Sequence, residues 1–481
     1  MNRRLAELLV FLTSAAVLVI EIAAVRLMAP YVGQTLETFT AIISTVLAGI
    51  AAGTAVGGRL ADTHDPGTLI RVELVGGGIL TLLLVPLVRA IGPTLGGGLS
   101  GLVALTLLTV FVPAAVLSAI SPAIIKANLV RLAETGTTVG RFSAIGTVGA
   151  IAGSVTTGFV LLARFSTSSI LVWLGAGLAA LGIGLSVRRN PRVAIVALVL
   201  AALGAVVAAS SEDPCDVETR YYCVRLVPDA GRPGASYLVL DDLFHSHVDP
   251  ADPTHLEFSY TRTFGTLIDA TSTGALDAVH IGGGGFTMPR WIEATRPGSR
   301  SRVLELDPDI VELDVERLGL SLDSGIGVTI GDARRTLAGI GDGEADLVIG
   351  DAFGGRAVPW HLTTRQFHLE VERVLASDGI YVVNLIDGPD MAFVRSMTRT
   401  LLSIWSEVSV LTVDDRLIRG GNVVLAASQS PLDTARLVEL GGGRGLRLSV
   451  LSGGEARSFA GEGVVLTDDF APVDQLLSPH L

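Results

Sequence analysis

The sequence predicts two fold classes in one chain: an α-helical multi-pass membrane domain, followed by a doubly wound α/β domain with a small β subdomain before it. Of the 481 residues, 49% are hydrophobic and 17% are charged, against roughly 25% charged residues in soluble domains. The apolar residues concentrate in residues 1–210. In the second half, short apolar runs alternate with helical patterns, which is typical of parallel strands joined by helices.

Seven stretches of the first half are long enough to cross a bilayer, which takes about 20 residues in a helix. The run after Arg3 and Arg4 is too long for a cleavable signal peptide and lacks a small-residue cleavage pattern, so we interpret it as the first span. The predicted spans lie near residues 7–29, 38–60, 69–91, 99–120, 142–163, 168–187 and 192–209.

Small and charged residues within these spans have different expected roles. Arg26 lies near a span end, where its guanidinium is expected to reach the interface, and Glu73 lies just inside the third span, near Arg71. Glu21 is the intramembrane charge that most needs a reason. Spaced glycines predict close helix packing in lipid; they are Gly53, Gly57, Gly58, Gly146, Gly149 and Gly153.

The basic residues between the spans are unevenly distributed. The side opposite the N-terminus has only Arg89 and Arg164, and the positive-inside rule therefore puts the N-terminus in the cytoplasm. Seven spans then predict an extracytoplasmic C-terminal half, whereas six would return it to the cytoplasm if residues 192–209 lie in the interface. The basic residues of the N-terminal side are Arg3, Arg4, Arg59, Arg71, Lys126, Arg131, Arg141, Arg188, Arg189 and Arg192.

Composition changes sharply at residues 210–214. We therefore predict a transmembrane domain over 1–210, a linker and small β subdomain over 211–262, and an α/β domain over 263–481. Cys215 and Cys223 are the only two cysteines, too few for a zinc site, and no metal is expected. They are a disulfide candidate, which would persist only in an oxidising compartment; two reduced, partly buried thiols are the alternative.

Five strands are predicted in the α/β domain, and ligands of such sheets bind at the carboxyl ends of the strands. The predicted strands are residues 278–281, 302–307, 327–330, 345–351 and 379–384. Residues 237–241 read as one short strand of the β subdomain.

Four glycines, Gly282 to Gly285, follow the first of these strands and precede a helix. Glycines at this place let the backbone pass close to a bound nucleotide. Glu305 ends the next strand ~20 residues on, where an acidic side chain accepts both hydroxyls of a ribose. Together they favour a Rossmann-like nucleoside site over a purely structural turn.

Two further carboxylates end strands on the same edge. Asp332 is placed to accept a hydrogen bond from an adenine amino group, and Asp351 to act as a base or to hold a cationic substrate. A single aspartate at such a place is most often a loop cap. Carboxylates at three consecutive strand ends favour a site.

Residues 215–475 resemble the membrane-fused members of the spermidine synthases, the polyamine aminopropyltransferases. The resemblance rests on an ordered set of motifs, and it implies a class I methyltransferase-like fold. The motifs are the strand with the four glycines, VLELD at 303–307, GDA at 331–333, Asp351, LDDLFH at 240–245, LEFSY at 256–260 and the tail TDDFAPV at 467–473.

The resemblance also implies a role for each matching position. Glu305 would bind the ribose and Asp332 the adenine of decarboxylated S-adenosylmethionine, while Asp351 would deprotonate the attacking amine and Tyr260 would orient it. The rest of the implied binding set is Gly282, Gly283, Gly284, Asp307, Ala333 and His245.

The sequence departs from the family pattern at several substrate anchors. Gly285 stands where the family has the aspartate that holds the aminopropyl ammonium, and Gly354 replaces the second aspartate of its DxxD loop. His245 replaces a glutamine, and Leu256 replaces an acid. The nucleoside-binding set therefore remains while anchors for a polycation are missing.

These observations predict a membrane-anchored aminopropyltransferase in the cell membrane that acts on an amine such as putrescine, with the decarboxylated donor as co-substrate. The alternatives are a non-catalytic nucleoside- or polyamine-binding membrane protein, a methyltransferase-like enzyme, and a transporter with an ancillary soluble half. The net charge of −12 argues against a nucleic-acid partner. The expected partners are the lipid bilayer, a small amine, an adenosyl-sulfonium ligand and a second copy in a homodimer.

Overall fold

The computed structural model describes residues 2–95, 98–129, 131–187, 191–355, 357–414 and 420–477. Two of the basic residues counted above, Arg188 and Arg189, lie outside these ranges. The chain divides into two compact units, Met1–Arg225 and Leu226–Leu481.

The first unit contains seven helices of the described residues that are long and apolar enough to cross a membrane. Each coincides with one predicted span. They are α1 (Arg3–Val32), α2 (Leu36–Thr63), α3 (Pro66–Leu95), α4 (Leu99–Asn128), α5 (Leu132–Leu161), α6 (Thr167–Val187) and α7 (Pro191–Ser210).

Glycines bring two pairs of these helices into backbone contact. A Cβ added at Gly53 of α2 would lie 2.0 Å from the carbonyl oxygen of Ala115 in α4. A Cβ at Gly149 of α5 would lie 2.3 Å from the carbonyl oxygen of Phe11 in α1. No side chain fits at either distance, and the prediction that these glycines serve helix packing is confirmed for both.

The segment that follows α7 is bonded to the ends of the earlier helices. Arg26 of α1 donates to the carbonyl oxygen of Thr219 at 2.6 Å. Arg89 of α3 pairs with Asp213 at 2.7 Å. These bonds hold residues 211–220 against the helix ends, so the first unit extends past the predicted domain boundary.

One cysteine lies in this segment and the other just after it. Cys215 and Cys223 are joined in a disulfide. Two short strands pair antiparallel around it, and the second continues into the following unit. They are β1 (Val217–Glu218) and β2 (Cys223–Pro228).

The expectation that Glu21 is the intramembrane charge that most needs a reason stays a prediction, and Glu73 is the more buried of the two. Glu73 of α3 is 8% exposed, and its carboxylate oxygens have no hydrogen-bond partner among the residues that the structure describes. Glu21 of α1 is only half-buried. The position of a residue along a span does not show which face of the helix it occupies. The packing of α3 therefore determines how deeply Glu73 is buried, and the sequence alone does not show it.

The second unit contains a β-hairpin and an eight-stranded sheet of order β12-β10-β11-β9-β8-β5-β6-β7. Its strands are β3 (Ser236–Leu240), β4 (Leu243–Val248), β5 (Asp277–Ile281), β6 (Arg300–Glu305), β7 (Ile326–Ile330), β8 (Ala345–Gly350), β9 (Leu375–Asp387), β10 (Glu407–Val413), β11 (Gly421–Ser428) and β12 (Leu448–Leu451). Its helices are α8 (Ser259–Thr271), α9 (Thr287–Thr295), α10 (Pro308–Arg317), α11 (Ala333–Thr336), α12 (Arg365–Val374), α13 (Ala392–Leu402), α14 (Thr434–Gly443), α15 (Gly453–Ala460) and α16 (Val473–Leu476).

The five predicted strands correspond to β5 through β9, which pair in parallel. Parallel strands are covered on both faces and read as continuous apolar runs; Val348 of β8 and Val382 of β9 are fully buried. The α/β fold class is therefore confirmed. The sheet is mixed rather than wholly parallel, because β11 pairs antiparallel with both β9 and β10. Antiparallel neighbours such as β10 and β11 need only a short connection.

Candidate functional site

Four predicted site elements meet at the carboxyl edge of the parallel strands. The Asp351 N–H donates to the carbonyl oxygen of Ile281 at 2.9 Å, and the Gly331 N–H to that of Glu305 at 2.8 Å. The order β8-β5-β6-β7 places Asp351, the glycine turn, Glu305 and Asp332 in one row. Neighbouring strands are ~4.8 Å apart, so this row is about 14 Å long.

The glycine turn is closely packed against the neighbouring strand ends. Gly282 has a φ of +92°, and a Cβ there would lie 2.6 Å from the carbonyl oxygen of Asp351. The Gly283 N–H donates to Oε2 of Glu305 at 2.7 Å. Glycine is therefore required at Gly282 both by the left-handed backbone and by the approach of the next strand.

Gly285 packs against strand β4 of the hairpin. Its N–H donates to Oγ of Ser246 at 3.0 Å. A Cβ at this position would lie 2.5 Å from Cγ2 of Val248 and 2.9 Å from Cβ of Ser246. The hairpin thus occupies the space that an aspartate side chain at Gly285, the residue expected from the resemblance described above, would need.

Glu305 is held as a fixed acceptor at the end of β6. It is 7% exposed, and its Oε1 accepts the N–H of Asp307 at 2.8 Å, while Oε2 accepts that of Gly283. An ionised carboxylate has about four acceptor sites, so further ones remain for ligand hydroxyls. Asp307 is fully buried and caps α10 by accepting the N–H of Asp309 at 3.1 Å.

Asp332 begins helix α11 and already has two partners. Its Oδ1 accepts the N–H of Arg334 at 2.9 Å, and its Oδ2 lies 2.8 Å from Nε2 of His361. Ala333 is buried beneath it at 6% exposure. A ligand that approaches Asp332 therefore meets a carboxylate shared with an imidazole.

The tail motif holds the loop that carries this imidazole. Arg334 forms two parallel bonds with Asp468, at 2.8 Å and 2.5 Å, and its guanidinium also donates to the carbonyl oxygen of His361 at 3.0 Å. Bidentate guanidinium–carboxylate pairs fix geometry as well as charge. The motif at 467–473 therefore supports the adenine end of the predicted site.

Asp351 follows the end of β8, and the side-chain amides of two asparagines are hydrogen-bonded in series to its carboxylate. Its Oδ1 accepts Nδ2 of Asn384 at 3.0 Å, and Oδ1 of Asn384 accepts Nδ2 of Asn422 at 3.0 Å. Burial raises the pKa of Asp351 to about 6, against the lowering effect of hydrogen bonds from Asn384 and Tyr260. This value suits a general base, which works best with a pKa near the operating pH.

Tyr260 and His245 join Asp351 from the hairpin side. The Tyr260 hydroxyl donates to the carbonyl oxygen of His245 at 3.3 Å. Burial, and then the charge of Asp351, raise the pKa of Tyr260 well above its usual value, so it remains a neutral donor. Burial lowers the pKa of His245, whose ring is therefore uncharged at neutral pH.

Several side chains at the site were not identified from the sequence. Asn384 had a usable signal, since it is a polar residue within the apolar strand β9 and is 2% exposed. His361 and Ser246 had none, because each reaches the site from a loop or hairpin whose path only the fold defines.

No protein-family model matches the chain. A polyamine aminopropyltransferase of Vibrio vulnificus is 32% identical over 139 residues, which are 28% of this chain and 46% of that protein. One from Neisseria meningitidis is 24% identical over 189 residues, 39% of this chain and 70% of that protein. The chain thus spans 46% to 70% of the length of these curated relatives.

A solved structure matches over a greater length. The probable spermidine synthase of Corynebacterium glutamicum superposes with a TM-score of 0.50 and 25% identity, covering 55% of this chain and 99% of that one. Over this length the chain is therefore similar to a spermidine synthase in sequence and fold.

Proposed function

We propose that the chain transfers an aminopropyl group from decarboxylated S-adenosylmethionine to a small amine such as putrescine. The neutral amine nitrogen attacks the propyl carbon next to the sulfonium, and the C–S bond breaks with its electron pair going to sulfur. Methylthioadenosine leaves, and the proton of the amine goes to Asp351. The names of the curated relatives, polyamine aminopropyltransferases, support this reaction.

The order of groups along the sheet edge supports the proposed donor. Asp332 with His361 would receive the adenine, Glu305 the ribose hydroxyls, and Asp351 the reacting end with the acceptor amine. These groups follow one another in the same order as the parts of the donor. The carboxylates also suit a sulfonium cation and a cationic amine.

The proposal rests above all on the pKa and the hydrogen bonding of Asp351. Its pKa of about 6 leaves it ionised at neutral pH yet able to take a proton. Its oxygen is positioned by Asn384 rather than neutralised by a cation. In-line displacement needs positioning and a base more than covalent catalysis.

The test is release of methylthioadenosine by the full-length chain supplied with the decarboxylated donor and a panel of amines. A positioned base contributes roughly 10²–10⁴-fold, so Asp351→Asn should lower turnover by that factor while methylthioadenosine affinity stays unchanged. The control is Asp346→Asn, on the same strand at its other end and exposed, which should keep the wild-type rate. Equal turnover in wild type and Asp351→Asn would overturn the proposed base.

A second candidate is nucleoside binding without transfer. The packing of Gly285 against Val248 favours it, because no side chain there can hold an aminopropyl ammonium. If the chain only binds nucleosides, methylthioadenosine binds, but no amine is consumed with either the decarboxylated donor or S-adenosylmethionine. Turnover with S-adenosylmethionine alone would instead indicate a methyltransferase-like reaction.

The proposal places this site on a multi-pass membrane protein. The seven apolar helices support membrane anchoring by their length and composition. We place the second unit outside the cytoplasm, on the count of spans from a cytoplasmic N-terminus and on the cysteine pair just after the last one.

A further inference from the structure

The second unit has an open cleft of about 740 Å³ whose walls are rich in arginine. The walls include Arg262 of α8, Arg436 of α14, and the two residues Arg296 and Arg444 that follow α9 and α14. None of the proposed catalytic or nucleoside-binding residues lines it among the described residues. The cleft therefore needs an explanation of its own.

The positive charge of the cleft is only partly compensated. Four arginines line the walls, and two carboxylates pair with them, Asp269 and, at 3.2 Å from Arg436, Glu439, which leaves an excess of two positive charges in a chain of net charge −12. Asp269 is shared between Arg296 and Arg444. Asp252 is bonded to Arg232, an arginine outside the walls.

Arg262 makes no ion pair within the described part of the chain. Its guanidinium donates to the carbonyl oxygens of Arg444 at 3.3 Å and Glu257 at 3.2 Å, and its Nε is buried without a partner. Carbonyl oxygens do not neutralise a cation, and an uncompensated, partly buried charge is unfavourable. An anion in the cleft would remove this cost.

The arginines are also held in place before any ligand arrives. The guanidinium carbons of Arg296 and Arg444 lie 5.3 Å and 5.9 Å from the ring centre of Trp291, within the range of cation–π attraction. Trp291 itself is 4% exposed and offers no free face for stacking. Recognition in this cleft therefore depends on charge and on the fork geometry of guanidinium groups, which suits phosphate oxygens.

We infer that this cleft binds a phosphate-bearing anion of at least two negative charges, at a site separate from the one proposed for transfer. The excess of two charges sets the charge of the ligand, and the burial of Trp291 excludes its ring as a surface for base stacking. The inference does not depend on the proposed function, since the cleft residues take no part in it.

The test uses the full-length chain in a neutral detergent, with inorganic pyrophosphate as the probe in a calorimetric titration. Arg262→Gln and Arg436→Gln should each weaken binding about tenfold, since each removes charge-assisted hydrogen bonds. The matched control is Arg447→Gln, three residues after Arg444 and paired with Asp414 at the surface, which should bind like wild type. Affinity should also fall with added salt.

A second arm distinguishes a free anion from a lipid headgroup. Titration is repeated in nanodiscs of phosphatidylcholine and of phosphatidylcholine with phosphatidylglycerol. Weaker pyrophosphate binding only with phosphatidylglycerol indicates that a lipid phosphate occupies the cleft, and equal binding indicates a free anion; both support the site. No saturable binding in detergent, or equal loss in the control and the cleft variants, would overturn the inference.

Discussion

The amide chain behind Asp351 gives the proposed base a pH dependence that can be measured. The base must be ionised to accept a proton, so turnover should rise with pH through the pKa of Asp351, about 6. Asn384 donates to this carboxylate and stabilises its ionised form. Asn384→Leu should therefore raise the pKa, moving the midpoint of the rate profile up by about one to two pH units.

A matched variant separates this effect from general damage to the strand. Asn422→Leu removes the outer amide, which contacts Asn384 and not Asp351. Its midpoint should move in the same direction but by less. An unchanged midpoint in Asn384→Leu would show that the amide does not tune the base, whatever happens to the maximal rate.

Glu305 makes a second prediction at the residue scale. Glu305→Gln puts an amide nitrogen where the carboxylate accepts N–H groups from Gly283 and Asp307, and it removes the charge expected to hold the ribose. Methylthioadenosine affinity should fall ~10- to 100-fold. Calorimetry compares it with Glu312→Gln, an exposed glutamate on α10, which should bind like wild type. Normal affinity in Glu305→Gln would refute the ribose assignment.

Residue types at strand ends were predictable, but their partners were not. Glu305, Asp332 and Asp351 were identified because parallel strands end on one edge of a sheet. His361, which shares the carboxylate of Asp332, was missed because it comes from a loop 29 residues on. A sequence pattern gives the position of a side chain along a helix or strand. It does not show which residues from distant segments contact that side chain.

At the scale of elements, the glycine turn and strand β4 should behave as a pair. Gly285→Ala would put a Cβ 2.5 Å from Cγ2 of Val248, and overpacking of this kind costs about 1–3 kcal/mol. The variant should bind methylthioadenosine more weakly, because the displaced turn carries Gly283. Val248→Ala frees the space, so the double variant should bind better than the two single effects predict. If the effects of the two substitutions on binding free energy add, the glycine turn and β4 are not coupled.

The loop after β8 offers the opposite case, a glycine with room beside it. Among the described residues, a Cβ at Gly354 would have Pro359 as its nearest neighbour, at 3.8 Å, which is ordinary contact. If the site binds a diamine, Gly354→Asp should lower the KM for putrescine about tenfold by holding the second ammonium. Gly354→Asn has the same size without the charge and should leave KM unchanged. Equal KM values for the two variants would place the diamine elsewhere.

Elements with a strong periodic signal were predicted well, and those fixed by pairing were not. The apolar runs of β5 and β8 are buried on both faces and read directly from the sequence. The antiparallel insertion of β11 between β9 and β10 leaves no such trace, because an apolar run has the same appearance in either direction. The position of the hairpin over Gly285 was likewise beyond a local pattern.

At the scale of the whole molecule, the boundary between the two units does not coincide with the change in composition. The sequence becomes polar at residues 210–214, yet the first unit continues to Arg225. Arg26 and Arg89 bond to the segment beyond α7, and these contacts cannot be read from hydropathy. The seven long apolar helices themselves were predictable, since a candidate span needs only length and apolar composition.

The side of the membrane on which the cysteine pair lies is the last testable consequence. We proposed that seven spans from a cytoplasmic N-terminus place Cys215 and Cys223 outside, where an oxidising compartment would preserve their disulfide. In intact cells, an impermeant maleimide should label neither cysteine until an impermeant reductant is added.

A chain with both cysteines replaced by serine and His64→Cys added, after α2, provides the control. His64 is exposed and should be labelled only after lysis, because an even number of spans precedes it. Cys215 and Cys223 labelled only after lysis would place the segment in the cytoplasm and remove one span from the count.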